Sequence, residues 1–586
     1  MTSHYVHLLA GLLVFSAGLV SPLPGATELR VADFGTKGDG VTDDGPAIQR
    51  ALDKLREAGS FSSLRFESHK TYRVKTTPET WVFTLKDLQE VTLDGGGSLF
   101  LLDARLRFLH LTHCTNVTVR GCSVDFDPLP FADGTIVAKN PQMKTVDVKI
   151  HDGFVLPPLG GPTREREQAY FGMLWHQGPH SLTGQHYFIK DSQAAYPGSL
   201  EQRIFRVFAV DNFNGFNQIK EGQTRISLPV RGIAHKMEGY GASPAFVIEE
   251  NHSVLCEDIN LWSAPLFGVN LARNHGTCVF RRFDIRPKPG TGRLTSSWRD
   301  GFHVKANYAT LLWEDCHLEG MNDDSFNTAT HSAKVVEVLA PGKFRLRQNF
   351  PLGIVPYHVG DIVSGYDVAG GKLLDRARIT ASLAQDHPST SGARPASPVV
   401  TVTLDHPLPD LKVGAVVWNV SSANPDTTLR RCKIFNSCRF QSPVKIEDCD
   451  ITAFCWFYGD NIEGPLPADV VIRNSRFQRG RGNPRTVLEF TSLIQGPSGK
   501  RAVPTQPVIA RVLLQNNTLD GLLDLGYTEK VTLTGNRFLP PHGKLTIHDS
   551  RLVQLQNNFL GNQLLERLDQ IQVPDEPTRR GIEIRN

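Results

Sequence analysis

Three carboxylates lie close together in one stretch of the sequence. Asp300 begins the segment Asp-Gly-Phe-His-Val and Asp324 begins Asp-Ser-Phe-Asn-Thr, so both segments read acid, small, aromatic, polar, small. If the segments are neighbouring parallel strands, Asp300 lies about 4.8 Å from Asp324, one inter-strand spacing away. Asp323 lies beside them, and like charges held this close together are typical of active sites. These three residues form the predicted catalytic centre.

Three acids in one cleft suit acid–base chemistry on an acetal. Inverting hydrolysis needs one protonated carboxyl to donate to the leaving oxygen and one carboxylate to activate water. Repulsion within a cluster raises the pKa of one acid while its neighbours stay ionised, which supplies both groups. Gly320 and Asn322 indicate a turn that brings Asp323 and Asp324 into the same cleft. We expect Asp323 to be the general acid, and Asp300 and Asp324 to activate water.

Two structural interpretations of the acids stay open at this point. Stacked acids in an exported β-protein can bind Ca²⁺ and hold a turn. Alternatively, Asp300 forms a salt bridge with Arg299 or Arg273. We expect no cofactor and no metal ligands, with Ca²⁺ at the acids as the alternative.

An eight-residue pattern recurs in about eleven copies: apolar, any, apolar, polar, small or polar, small, any, apolar. Copies include Val117-Thr-Val-Arg-Gly-Cys-Ser-Val and Leu311-Leu-Trp-Glu-Asp-Cys-His-Leu. Polar turns and a period of about 22 residues predict a solenoid of parallel strands, a β-helix. The sixth position holds small or amide side chains that would stack as interior ladders, namely Gly96, Cys122, Cys316, Cys432, Cys449, Ser475, Asn517, Asn536 and Asn558.

The ladder position also bears on the nine cysteines. An odd number leaves at least one thiol unpaired in any disulfide scheme. We expect the ladder cysteines to be buried thiols rather than disulfide partners, namely Cys122, Cys316, Cys432 and Cys449.

The repeat stops twice, and alternating β patterns without the coil signature predict two β-rich insertions, either barrels or sandwiches. A short helix from about Pro46 to Glu57 should cap the solenoid, with Asp43 and Asp44 capping its first N–H groups. The predicted organisation is a signal peptide (1–26), the N-terminal β-helix with its cap (27–125), insertion one (126–246), the catalytic coils (247–332), insertion two (333–424), the C-terminal β-helix (425–562) and a tail (563–586).

Composition narrows the partners and the compartment. The chain has 586 residues and a formal net charge of +3, so neither nucleic acid nor a membrane surface is indicated as a partner. The apolar run Leu8–Val20, followed by small residues, predicts a secretory signal that is too short to span a bilayer. We expect a secreted or periplasmic protein. The oligomeric state cannot be read from the sequence.

The start Asp39-Gly-Val-Thr-Asp-Asp, the coil ladder and the acidic trio resemble the secreted β-helix superfamily of polygalacturonases. This resemblance implies an all-β, right-handed parallel β-helix. Polygalacturonases also carry a Gly-His-Gly and an Arg-x-Lys after their acids. Here Gly-His-Gly is missing, and the later Arg431-Cys-Lys433 is centred on a ladder cysteine. We therefore do not expect pectin as the substrate.

A closer resemblance is to glycoside hydrolase family 110, the exo-acting α-1,3-galactosidases. It rests on Arg299-Asp-Gly-Phe-His303, the step from Asp300 to Asp323 and the two β insertions, and it covers most of residues 28–560. The resemblance implies an inverting mechanism and glycans with terminal α-galactose as substrates. Asn322 stands where glycine is more usual in the family, which puts the specificity in question.

Binding residues are predicted from their position in the coils. The segment Phe267-Gly-Val-Asn-Leu aligns with the two acidic segments, so polar side chains stack on the face that bears the acids and suit sugar hydroxyls. Aromatic side chains nearby can stack on a sugar ring, and Arg299 can hold an acid ionised or bind a hydroxyl. An ordinary polar ladder and simple packing are the alternatives. The candidates are Asn270, His303, Asn327, Trp298, Trp456, Tyr458 and Arg299.

Two other functions remain open on this scaffold. One is a different β-helix carbohydrate-active enzyme, such as a polysaccharide hydrolase or a lyase that would need Ca²⁺ and an Arg or Lys base. The other is a non-catalytic glycan-binding β-helix, which would tolerate the loss of any one of the three acids.

Overall fold

The computed structural model describes residues 27–157, 159–160, 171–175, 182–211, 213–230, 244–349, 357–385, 399–480, 485–496 and 498–585. The predicted signal peptide lies outside these residues. The described chain is nearly all β, as predicted, with α-helices at Gly45–Ala58 and Glu576–Arg580. Short 3₁₀ helices lie at Val31–Phe34, Gly215–Gln218 and Leu568–Gln570. No described helix is both long and apolar enough to cross a membrane.

Most strands join one 24-stranded sheet of mainly parallel pairs, in which successive turns of the chain lie side by side. Val254 pairs in register with Cys278, and Cys278 pairs with Leu311 one turn further on. The sheet contains Thr27–Arg30, Asp39–Asp43, Ser62–Arg65, Thr71–Val74, Thr92–Leu102, Thr115–Phe126, His252–Leu261, His275–Ile285, Thr310–Glu314, His317–Leu318, Asp426–Arg430, Lys433–Ile434, Val444–Glu447, Asp450–Ile451, Ala468–Arg473, Arg476–Gln478, Ile509–Gln515, Thr518–Asp520, Thr528–Thr534, Arg537–Phe538, Arg551–Gln556, Phe559–Leu560, Gln563–Leu564 and Ile582–Arg585.

A second run of parallel strands carries the candidate site and is called the site sheet below. Phe302–Lys305 pairs with Val269–Ala272 on one side and with the start of Phe326–Ala340 on the other. The site sheet contains Trp81–Lys86, Arg107–Thr112, Phe246–Glu249, Val269–Ala272, Phe302–Lys305, Phe326–Ala340, Cys438–Phe440, Cys455–Phe457, Thr486–Phe490, Leu522–Gly526 and Lys544–His548, with Glu463–Gly464 antiparallel to the third of the central strands, Phe326–Ala340.

Each β-rich insertion contains a closed antiparallel barrel with its own apolar core. Barrel 1 consists of Phe131–Asn140, Thr145–Ile150, Phe171–Trp175, Leu182–Ala194, Ile204–Ala209 and Arg225–Pro229. Barrel 2 consists of the second half of Phe326–Ala340 with Lys343–Gln348, Ile362–Asp367, Lys372–Gln385, Val399–Leu404 and Val416–Asn419. One strand thus runs from the site sheet directly into barrel 2.

The core between the two sheets is filled by side chains at alternating strand positions. At the level of the acid-bearing segments it is aromatic: Phe302 stacks on Phe326 with ring centroids 5.4 Å apart, and Trp313 meets both edge-on. Burying rings of this size contributes several kcal/mol in total, with additional gain from their edge-to-face contacts. The segments that carry the acids are therefore held by an aromatic core on their inner side.

The predicted ladders are present. Asn517, Asn536 and Asn558 form a chain in which each side-chain amide donates to the next amide oxygen at 3.0 Å. All nine cysteines are buried free thiols, which confirms the prediction for the four ladder cysteines. The sequence pattern missed a second asparagine ladder, formed by Asn251, Asn274, Asn307 and Asn424, whose first three members each follow a strand of the site sheet.

Removing one rung of the ladder should destabilise the fold measurably. The side chain of Asn536 donates to Leu514 O and to Asn558, and it accepts from the backbone and the side chain of Asn517. Asn536→Ala leaves several buried groups unbonded, so we expect unfolding free energy to fall by roughly 2–5 kcal/mol in urea titrations. Asn562→Ala, at an exposed position, should change it by less than about 0.5 kcal/mol, and equal losses would contradict a special role for the ladder.

The helix Gly45–Ala58 confirms the predicted cap helix, but the roles of its two aspartates differ from those expected. Asp43 accepts from the N–H of Gly45 at the start of the helix. Asp44 occupies the N-cap position, yet its carboxylate accepts from the N–H groups of Lys37 and Gly38 in the preceding turn. Asp44 therefore holds the turn, and the capping prediction is right only for Asp43.

Candidate active site

The acidic trio forms because two strands of the site sheet begin side by side. Asp300 and Asp324 each precede a strand, and the N–H of Gly301 donates to Asp324 O at 2.8 Å. Gly301 has no room for a side chain, since a Cβ there would lie 2.8 Å from Met321 Cε and 3.0 Å from Ser325 O. One carboxylate oxygen from each of Asp300, Asp323 and Asp324 lies within 4.8 Å of the others. The predicted clustering is therefore present.

Asp300 is the deepest acid of the trio, with 1% of its surface exposed. Its Oδ2 accepts from Asn327 Nδ2 at 3.3 Å, while its buried Oδ1 has no hydrogen-bond partner among the described residues. Burial, followed by repulsion from Asp323 and Asp324, raises the pKa of Asp300 well above its ordinary value. A proton on this carboxyl is the least costly way to relieve the cluster.

Asp324 is held by two residues that follow the second insertion in the chain. It accepts from Ser437 Oγ at 2.7 Å and forms a salt bridge with Arg439. Burial raises the pKa of Asp324, and Arg439 opposes that rise without cancelling it. Two donors fix this carboxylate in one orientation.

Asp323 is the most accessible of the three acids, with 19% of its side chain exposed, and it pairs with Arg299 at 2.8 Å. Arg273 instead pairs with Glu249 and Glu250. Neither arginine makes the salt bridge to Asp300 that was considered from the sequence, so that alternative is wrong. Three carboxylates face two guanidinium groups, which leaves one excess negative charge if all three acids ionise.

The donor set suits acid–base chemistry better than a calcium site. Ca²⁺ is typically bound by about six to eight oxygens. In the trio, Asp323 and Asp324 each give an oxygen to a guanidinium, and both positive charges repel a cation. The calcium alternative stays open, because one carboxylate oxygen of each of the three acids lies within 4.8 Å of the others.

The predicted polar row is in register. Asn270 pairs with His303, and His303 pairs with Asn327, on adjacent parallel strands. The ring of His303 stacks on Phe267 with centroids 4.3 Å apart, and its Nδ1 lies 3.1 Å from Asn270 Oδ1. Burial and the nearby Lys305 lower the pKa of His303 well below its ordinary value, so the ring is neutral at neutral pH.

Asn327 is buried and both ends of its amide are used within the protein. Its Nδ2 donates to Asp300, and its Oδ1 accepts from Lys305 Nζ at 2.7 Å. Lys305 also pairs with Glu463 at 2.8 Å. Asn327 thus supports an acid, whereas the sequence interpretation placed it on a sugar hydroxyl.

The three predicted aromatic contacts have different surroundings. Trp298 is fully buried and stacks on Phe131 of barrel 1, so it cannot present a face to a sugar and that prediction is wrong. Tyr458 is also buried and accepts from Arg439 Nη1 at 3.4 Å. Trp456 lies 4.5 Å from Tyr458 between ring centroids and is half-buried, so part of its ring is accessible.

Four residues of the site were missed from the sequence: Lys305, Ser437, Arg439 and Glu463. The signal for Arg439 is Cys438-Arg-Phe, which stacks on Phe326-Asn-Thr in the register of the site sheet. Barrel 2 separates these two strands in the chain and hides the period. The place of Lys305 has no local signal either, because its partner Glu463 follows the second insertion in the chain.

Replacing Asp300 should stabilise the folded protein at neutral pH. Because the folded-state pKa of Asp300 is raised, its contribution to stability is present below the unfolded-state pKa and is lost as pH rises through the folded value. Asp300→Asn cannot ionise, so we expect its melting temperature to exceed that of wild type by a margin that grows from about pH 4 upward.

The exposed Asp39 provides a control of opposite sign. The N–H groups of Thr42 and Val41 lower the pKa of Asp39 to about 2. Its contribution to stability is therefore present above the unfolded-state pKa and lost as pH falls, so Asp39→Asn should lower the melting temperature at neutral pH and match wild type near pH 2. A melting temperature of Asp300→Asn that runs parallel to wild type across pH would contradict the buried, strained acid.

No family model matches the chain. It is 22% identical to α-1,3-galactosidase B of Bacteroides thetaiotaomicron over 94% of this chain and 93% of that protein. It is also 22% identical to α-1,3-galactosidase A of Streptomyces avermitilis, over 87% of each chain. A similar solved structure is the family 28 exopolygalacturonase of Yersinia enterocolitica, with a TM-score of 0.37, 11% identity and coverage of 95% of this chain and 78% of that one. The relatives together support a glycoside hydrolase.

Proposed function

We propose that the protein is an exported, inverting, exo-acting hydrolase that releases terminal α-1,3-linked galactose from glycans. The observation that carries this proposal is the trio of Asp300, Asp323 and Asp324 set against Arg299 and Arg439. Relatives named α-1,3-galactosidase over most of the chain support the substrate class. The parallel stacking of both sheets supports a β-helix, and we propose that it is right-handed. We also propose that the enzyme needs no cofactor.

The charge balance of the site provides one mobile proton. Two guanidinium groups balance two carboxylates, and the third carboxyl keeps a proton that belongs to the cluster as a whole. In the free site Asp300 holds it, because that acid is deepest and accepts only an amide N–H. Asp323, which is more exposed and within 4.8 Å, is the group that can reach a glycosidic oxygen.

In the proposed reaction the trio gives one proton to the leaving group and regains one from water. Asp300 passes its proton to Asp323, and Asp323 donates it to the glycosidic oxygen as the bond to the anomeric carbon breaks. A water molecule attacks that carbon from the opposite face, and Asp324 accepts its proton, with the ionised Asp300 orienting the water. The products are galactose and the shortened glycan, and the proton on Asp324 returns to the cluster.

The spacing of the acids needs a separate argument for inversion. Carboxyls of inverting enzymes are usually about 6.5–9.5 Å apart, and those of retaining enzymes about 5–5.5 Å apart. In the trio one oxygen of each acid lies within 4.8 Å of the others, which is shorter than either range. We nevertheless propose inversion, because Ser437 and Arg439 hold the Asp324 carboxylate in one orientation, and we assign that orientation to a base that takes a proton from water rather than to a nucleophile that bonds to the sugar.

The positions of the two barrels support the proposal of exo action. Phe131 of barrel 1 stacks on Trp298, two residues before Asp300, and barrel 2 continues the strand that begins just after Asp324. Both barrels therefore flank the acids. We propose that they close the ends of the cleft so that a chain terminus enters it, with the half-buried Trp456 against the neighbouring sugar.

The test is hydrolysis of a panel of α- and β-galactosides that includes an α-1,3-linked galactose disaccharide, with released sugar followed by NMR. The proposal expects β-galactose as the first anomer from α-linked substrates. First release of α-galactose would overturn inversion while leaving the substrate class intact. A folded protein that releases no galactose from any member would overturn the substrate assignment.

A further inference from the structure

A buried lysine, Lys305, is linked to the acid Asp300 through the amide of Asn327. Lys305 is 3% exposed and lies at the end of the strand that carries His303. Its register partners on the adjacent strands are Ala272 and Ala329, whose small side chains leave room for the lysine between the coils. A buried lysine is costly unless it is paired and fully hydrogen-bonded.

Both partners of Lys305 are placed by other parts of the fold. Glu463, at 2.8 Å, belongs to a two-residue strand paired with Thr330 and His331 at the base of barrel 2. Burial alone would raise the pKa of Glu463, but Lys305 lowers it below the ordinary value. Asn327 Oδ1, at 2.7 Å, is the second partner. The lysine thus links barrel 2 to the amide that contacts Asp300.

The lysine decides which way the amide of Asn327 points. An ammonium group only donates, so the oxygen of Asn327 must face it and the NH₂ group must face Asp300 Oδ2. If the amide were reversed, two donors would meet at Lys305 and two acceptors at Asp300. The buried Oδ1 of Asp300 is left as the site for the shared proton.

We propose that Lys305 is a positioning residue which, through Asn327, fixes the Asp300 carboxyl and its proton for the relay to Asp323. This inference rests on the proposed hydrolase function. Lys305 itself does not touch the acids and acts only by holding the amide. The charged groups that interact with Asp300 directly are Asp323, Asp324, Arg299 and Arg439. Those that interact with the lysine are Glu463, His331, His303 and Asp460.

A double-mutant cycle tests the route of this effect. Lys305→Met should lower kcat by about tenfold to a hundredfold with little change in KM, because a misplaced acid slows chemistry more than binding. With the amide of Asn327 free to turn away, the pKa of Asp300 should rise, and the alkaline limb of the pH–rate profile, where the cluster loses its proton, should move to higher pH. If Lys305 acts through Asn327, Lys305→Met added to Asn327→Ala should cause no further loss. Lys445→Met, which removes an exposed lysine paired with Asp426, is the matched control.

The outcomes separate this inference from the proposed function. Multiplicative losses in the cycle, with an unshifted pH profile, would overturn the inference. Should Lys305→Met fail to fold, Lys305→Gln with Glu463→Gln removes both buried charges together, and the same cycle is run on that background. Should wild type cleave no galactoside, the titration of Asp300 is followed instead by ¹³C-aspartate NMR, with the resonance assigned by its loss in Asp300→Asn. Its pKa should rise in Lys305→Met, and an unchanged value would overturn the inference.

Discussion

Asp323→Asn should lower kcat for an α-galactoside with an ordinary sugar leaving group by about 10²–10⁴-fold, the usual range for loss of a general acid. The amide cannot deliver a proton to the glycosidic oxygen. The substitution also releases Arg299 from its 2.8 Å salt bridge, but that guanidinium is 32% exposed and stays solvated. The unfolding free energy should therefore change little, and the fall in kcat should come from a slower chemical step.

The leaving group separates the acid from the base. The p-nitrophenolate group of a p-nitrophenyl α-galactoside leaves without being protonated. Asp323→Asn should therefore keep most of its activity on that substrate. Asp324→Asn, which removes the proposed base, should be equally poor on both substrates. Asp258→Asn is the control, because it removes an acid from an exposed salt bridge with Arg282 outside the trio. If Asp323→Asn and Asp324→Asn respond alike to the leaving group, the division of roles within the trio is wrong.

The all-β character and the parallel pairing of strands could be predicted from the sequence because the repeat is local. Each coil repeats the same alternation, and the ladder residues at its sixth position, such as Asn536 and Cys449, stay recognisable when the strands between them vary. Parallel strands one turn apart must then stack in register, so the two matching segments predict that Asp300 lies beside Asp324. The repeat also explains why the thiols need no disulfide partners.

The support of the site could not be predicted because it comes from long sequence separations. Barrel 2 lies between Asp324 and its partners Ser437 and Arg439, and the same barrel brings Glu463 to Lys305. Trp298 was misplaced for a related reason, since its neighbour Phe131 belongs to barrel 1, whose position against the coils has no local signature. The periodicity predicts the residues that recur in every coil. It does not predict which side chains an insertion brings to the site.

Arg439→Met should nearly abolish activity at neutral pH and should also destabilise the fold. Arg439 is partly buried, forms the salt bridge to Asp324 and donates to Tyr458. Removing one partner of a buried pair typically costs about 3 kcal/mol or more. Without Arg439 the three acids face only Arg299, so the pKa of Asp324 should rise further and the proposed base should be protonated when water needs to be activated.

The pH dependence of this loss has a definite sign. The higher folded-state pKa of Asp324 in the variant means that the penalty is absent when the acid is protonated and grows as pH rises through that value. Urea titrations should therefore show a gap from wild type that is widest at neutral pH and shrinks toward pH 4. Arg580→Met, which breaks an exposed pair with Glu576, should cost less than about 1 kcal/mol at either pH.

Combining Arg439→Met with Asp324→Asn separates the two roles of the arginine. The double variant has no buried carboxylate at position 324, so unfolding free energy at neutral pH should recover most of the loss caused by Arg439→Met alone. Activity should not recover, because Asp324 is itself the proposed base. Recovery of neither would mean that Arg439 acts mainly by packing against Tyr458 and Trp456. Recovery of both would remove Asp324 from the mechanism and leave Asp300 and Asp323 as the working pair.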